Sequence, residues 1–99
     1  MTESELQAQC NKYLRDNDIM YFHLEKGRSY KHEARSKGLP DLTIFFKGRC
    51  IFVELKVGNN KLSSDQMDWW CKADDNKIPY RICCDFKQFI KILEKDGVV

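Results

Sequence analysis

Long apolar runs are missing from these 99 residues, and no stretch approaches the roughly 18 that a membrane-spanning helix requires. The N-terminus, MTESELQAQ, is polar and acidic. We therefore expect neither a signal peptide nor an anchor, and a protein that stays in the compartment where it is made. Paired cysteine motifs are missing too. The five cysteines (Cys10, Cys50, Cys71, Cys83, Cys84) are odd in number, lie in apolar stretches and lack CxxC spacing. That pattern predicts reduced, buried thiols and excludes a disulfide frame or a zinc site. There is no internal repeat, low-complexity tract or linker, so one domain over residues 1–99 is expected. A disordered chain is excluded as well, because 42% hydrophobic and 32% charged residues is an ordinary globular balance.

Net charge is scarce, only +2, but its distribution is uneven. Residues 25–37 (EKGRSYKHEARSK) carry Lys26, Arg28, Lys31, Arg35 and Lys37 against Glu25 and Glu33, a local +3 on a body of −1. A basic segment on a near-neutral body is how a small protein holds a polyanion locally, and His32 can add a phosphate contact there. The alternative for such a run is a solvated loop.

Hydrophobic spacing gives the order of elements. Leu6, Cys10, Tyr13 and Leu14 predict an amphipathic helix over 3–16, with Thr2 as its cap. Strands are expected at 19–24, 41–46 and 50–56, the last two joined by a tight turn at Lys47-Gly48-Arg49. A second helix over 63–76 opens with Ser63 three residues before Gln66, a capping-box pattern. A short strand at 80–84 and a helix over 86–95 complete the chain. The fold class is thus α/β, in the order α-β-β-β-α-β-α. A hairpin in the middle and a crossover later require a mixed sheet. On the second helix, Met67, Trp70 and Cys71 read as a core stripe, with Trp69 as a candidate interface residue. His23, inside a strand, reads as structural.

The chemistry-bearing residues are Asp41, Glu54 and Lys56. Alternation puts Phe52, Glu54 and Lys56 on one face of the third strand. Folding the hairpin symmetrically about Lys47-Gly48 sets Asp41 opposite Glu54. Like charges directly opposed across two strands are destabilising unless something positive lies between them. Lys56 supplies one positive charge, and a divalent cation such as Mg²⁺ would supply the rest, with the Leu55 carbonyl as a third oxygen. The alternative is a pair of solvated strand-end charges, and a one-residue slip of register would part them.

With these residues in place, the chain resembles the PD-(D/E)XK nuclease superfamily, the restriction-endonuclease-like fold. More narrowly it resembles the virus-type replication–repair nuclease (VRR-NUC) domains. The features that carry the resemblance are a glutamate near the start of a short helix, Gly38-Leu39-Pro40-Asp41-Leu42, Phe52-Val53-Glu54-Leu55-Lys56, and Leu62-Ser63-Ser64-Asp65-Gln66. It implies a central mixed sheet flanked by helices and a Mg²⁺- or Mn²⁺-dependent endonuclease that hydrolyses DNA. Asp41 and Glu54 would be metal ligands, Lys56 catalytic and Gln66 part of the site. The helix glutamate would join them, and on the helical wheel Glu3 falls on the stripe of Leu6, Cys10 and Leu14, whereas Glu5 falls to the other side. The resemblance further implies a homodimer, duplex or branched DNA as substrate, a helicase or replication–repair partner, and a phage or bacterial protein of the host cytoplasm. Two rival readings are a non-catalytic nucleic-acid-binding module and a nuclease subunit that needs a partner protein.

Overall fold

The computed structural model describes residues 1–24, 38–58 and 61–99. Helix α1 (Glu3–Asp16) is followed by β1 (Met20–His23), β2 (Leu42–Phe46), β3 (Arg49–Leu55), α2 (Ser64–Asp75), β4 (Tyr80–Cys83) and α3 (Phe86–Lys95). The strands form one sheet in the order β1-β2-β3-β4. The first two pairings are antiparallel and the third is parallel, because α2 carries the chain back across the sheet before β4. The expected mixed α/β architecture is the one observed, with strand ends shifted by a residue.

Local chemistry explains the boundaries. At α1, the Thr2 hydroxyl accepts from the Glu5 amide and the Glu5 carboxylate accepts from the Thr2 amide, which satisfies two orphan donors at the helix start. The β2–β3 turn needs two left-handed residues, and Lys47 and Gly48 take φ of 48° and 75°. That turn sets Phe46 opposite Arg49 and propagates the register to Leu42 opposite Val53.

The two faces of the sheet differ. Leu42 and Ile44 of β2 and Ile51, Val53 and Leu55 of β3 pack with Leu6, Cys10 and Leu14 of α1 and Phe89 and Leu93 of α3. Each such side chain contributes about 1.5–3 kcal/mol by burial, so this face carries the hydrophobic core. The opposite face is covered by α2, where Ala73 is the one buried helix residue and Trp69 stacks edge-on to Phe52 at 6.2 Å.

Here the expected core stripe is corrected. Met67 and Trp70 are 47% and 42% exposed and Cys71 faces solvent, whereas Trp69 packs on the sheet. The inward stripe of α2 is Gln66, Trp69 and Ala73, and a glutamine within it disguises the periodicity. The cysteines also differ from expectation: Cys10 and Cys83 are buried, Cys50 and Cys84 half-buried and Cys71 exposed. Burial pushes the Cys83 thiol up to about 12, which makes it a poor nucleophile. Among the described residues, no helix is long and apolar enough to cross a membrane.

Candidate active site

The N-terminal end of β2 and the C-terminal ends of β1 and β3 meet at one edge of the molecule. Asp41 arrives there through Gly38-Leu39-Pro40, and the approach is tight. Gly38 has φ of 84°, and a Cβ on it would lie 2.1 Å from the Asp65 carbonyl oxygen. Only glycine lets this loop abut the first turn of α2, and that contact brings Asp41 and Gln66 to the same end of the sheet. Gly38→Ala is expected to destabilise the protein by about 2–4 kcal/mol, since left-handed strain and backbone overlap act together. Urea denaturation measures this, and a change within about 0.5 kcal/mol would show the loop to be free to move.

Asp41 is 4% exposed and Glu54 is fully buried. The β2–β3 register continued one step beyond Leu42–Val53 reaches these two residues. Asp41 is outside the strand ladder, and its Oδ2 accepts from the Leu55 amide at 2.8 Å while its carbonyl accepts from Leu24 N–H. Glu54 lies on the α2 face, where Gln66 Nε2 donates to its Oε2 at 3.0 Å. The same Gln66 side chain accepts from the Ser63 amide through Oε1 at 2.9 Å. One amide therefore closes the capping box of α2 and orients a buried carboxylate. Lys56 follows the last residue of β3, half-buried, with its amide bonded to the Cys83 carbonyl at 2.9 Å. Alternation keeps its side chain on the Glu54 face.

Glu3 and Glu5 part company. Glu5 is committed to the capping box, and the Thr2 amide and hydroxyl hold its carboxyl below the usual range. Glu3 is exposed and lines a cleft of about 470 Å³ together with Asp41 and Leu55. His23 lines that cleft as well, a placement its position in a strand did not disclose. The basic residues Lys26, Arg28, Lys31, His32, Arg35 and Lys37 lie outside the described residues. Among the described residues, no three of His, Cys, Asp or Glu converge into a ligand cluster. Asp41 and Glu54 adjoin at the sheet end, and of the two Asp41 lines the cleft with Glu3.

Sequence reasoning missed Tyr80. It is 7% exposed, its ring meets Phe52 edge-on at 6.3 Å, and its hydroxyl has no hydrogen-bond partner among the described residues. Burial, then the charges of Glu54 and Asp41, push its phenol well above the usual range, so its hydroxyl keeps its proton near the two carboxyl groups. No local pattern marks such a residue, because its partners come from other strands. Tyr80→Phe is expected to leave stability unchanged or raise it by up to about 1 kcal/mol in metal-free buffer, since an unpaired buried hydroxyl is removed. A thermal melt showing a clear loss instead would mean that the hydroxyl is bonded in solution.

The model of the VRR-NUC domain family matches residues 4–84, a span that contains Asp41, Glu54, Lys56 and Gln66. A solved structure described as a VRR_NUC domain superposes with a TM-score of 0.70, covering 93% of this chain and 94% of that chain at 24% sequence identity. At that identity the likeness shows the fold. No curated protein matches the sequence.

Proposed function

This chain belongs to the VRR-NUC domain family, a nuclease-type domain, and from that premise we propose that it hydrolyses DNA phosphodiester bonds with a bound divalent cation at the Asp41–Glu54 end of its sheet. The observation that carries this reading is the pair itself. Two carboxylates, 4% and 0% exposed, occupy adjoining positions at one sheet end. Burying charge in this way is costly unless it is paired or coordinates a metal.

The donor set fits a hard cation. Asp41 and Glu54 offer carboxylate oxygens, Leu55, whose amide donates to Asp41, would add its carbonyl as a third, and the Tyr80 hydroxyl lies nearby. Such an ion, Mg²⁺ or Mn²⁺, supplies Lewis-acid polarisation of the phosphoryl oxygen and activates water. The protein's own residues do the rest. Gln66 holds the Glu54 carboxylate in one orientation, Lys56 orients the attacking water and steadies charge as it develops, and Glu3 lines the cleft with Asp41 from α1. Segment 25–37 grips backbone phosphates. An Arg28→Ala, Lys31→Ala, Arg35→Ala variant should bind duplex DNA more weakly, with the slope of log K against log salt reduced by about 0.9 per lost contact. Equal slopes would mean that the segment is a solvated loop.

A branched or junction substrate and a homodimer complete the proposal, both from the family resemblance. Cleavage assays on duplex, single-stranded, flapped and four-way DNA with Mg²⁺, Mn²⁺ or EDTA test it. Metal-dependent cutting that EDTA stops is the expected result. Binding without cutting under every metal would favour a non-catalytic module or a subunit that awaits its partner.

A further inference from the structure

His23 closes β1, opposite Leu42 and therefore one position from Asp41. It stands at the end of a hydrogen-bonded chain that begins on α1. Gln7 Nε2 donates to Asn11 Oδ1 at 3.0 Å, one helical turn along. With that oxygen engaged, Asn11 presents its amide nitrogen to the ring, and Nδ2 meets His23 Nδ1 at 3.1 Å. A ring nitrogen that accepts leaves the proton on the other one. The chain therefore fixes the ring in orientation, with Nδ1 accepting from Asn11 and Nε2–H as the remaining polar group.

Gln7, Asn11 and His23 all line the cleft that Glu3, Asp41 and Leu55 line. The carboxylates of Glu3 and Asp41 in this lining repel a polyanion, so a nucleic-acid strand there needs hydrogen-bond donors among the other lining residues. A purely structural histidine would be turned into the core; this one is half-buried on the cleft surface. We propose that His23 Nε2–H donates to a phosphate oxygen of the nucleic-acid strand in this cleft, and that Asn11 is the positioning residue that sets the ring for that contact. The proposal rests on reading the cleft as the nuclease substrate site. It makes His23 a substrate-binding residue, outside the metal set and outside the basic segment.

The contact is made by a neutral donor, which separates it from the lysine and arginine contacts. Losing a cation removes counterion release and flattens the salt dependence, whereas losing a neutral N–H weakens binding at every salt concentration alike. The test is equilibrium binding of the full chain to duplex and flapped DNA, in Ca²⁺ to prevent cutting and near pH 8, over a salt titration. His23→Ala should bind about tenfold more weakly with the salt slope unchanged. Asn11→Ala should show a smaller loss in the same direction. His23→Gln, whose amide nitrogen reaches close to the Nε2 position, should recover most of the affinity. In cleavage assays the His23→Ala loss should fall on KM and spare kcat. Affinity equal to wild type in His23→Ala, no recovery in His23→Gln, or a flattened slope would each overturn the proposal. A wild type that binds DNA, loses affinity on His23→Ala and never cuts would support the His23 contact and overturn the catalytic reading. A wild type that binds no DNA would overturn both.

Discussion

Glu54→Gln and Asp41→Asn should each bring metal-dependent cleavage down to background, a loss of roughly 10³-fold or more. Glu54 is fully buried and Asp41 nearly so, and together they provide the negative charge that a divalent cation would neutralise. Either substitution keeps the shape of the side chain and an oxygen acceptor. The Gln66 Nε2 donor at position 54 and the Leu55 amide beside position 41 can still be satisfied. The fold should therefore survive, and in metal-free buffer each variant should be as stable as wild type or slightly more so, because repulsion between opposed like charges is relieved. Metal should separate them in the other direction. A cation at a hundred times its Kd stabilises the folded wild type by about 2.7 kcal/mol, and the variants should lose most of that gain. Thermal melts with and without Mg²⁺ or Mn²⁺, run beside cleavage assays, measure both effects. Activity at the wild-type level in either variant would remove the metal-site assignment.

Lys56→Ala should lose turnover by about 10²–10³-fold while DNA and metal binding persist. The Lys56 amide is tied to the Cys83 carbonyl at 2.9 Å, so the β3 and β4 ends position its backbone whatever its side chain is. Truncation therefore removes an ammonium from the Glu54 face without disturbing the sheet. An interaction made in the transition state alone lowers kcat and leaves binding intact. If the variant binds DNA poorly but cuts normally at saturating substrate, the lysine is a phosphate clamp and its chemical role is wrong.

Much of this molecule is governed by short-range pattern, and that much is legible in the sequence. Thr2 and Ser63 each start a helix through bonds to a residue three positions on. Lys47-Gly48 forms a two-residue turn, and the turn alone dictates the β2–β3 register that leads toward Asp41 and Glu54. Apolar periodicities of two and near four suffice for the element order. The remainder depends on contacts between residues far apart in the chain. Asp41 turns its carboxylate to the Leu55 amide fourteen residues away, and Gln66 reaches Glu54 twelve residues back. Which face of α2 is inward is decided by the buried carboxylate and by Phe52 across from it, and Gln66 on that face conceals the stripe. Glu3 and Glu5 are near neighbours in sequence, yet the capping box takes one and leaves the other facing the cleft. Tyr80 and His23 acquire their surroundings from neighbouring strands and from α1. Local sequence thus determined the elements, their ends and the hairpin register, because those follow from the dihedral and hydrogen-bonding preferences of adjacent residues. The tertiary structure alone decided which polar side chains share the cleft and the buried face, because that depends on how separately formed elements pack.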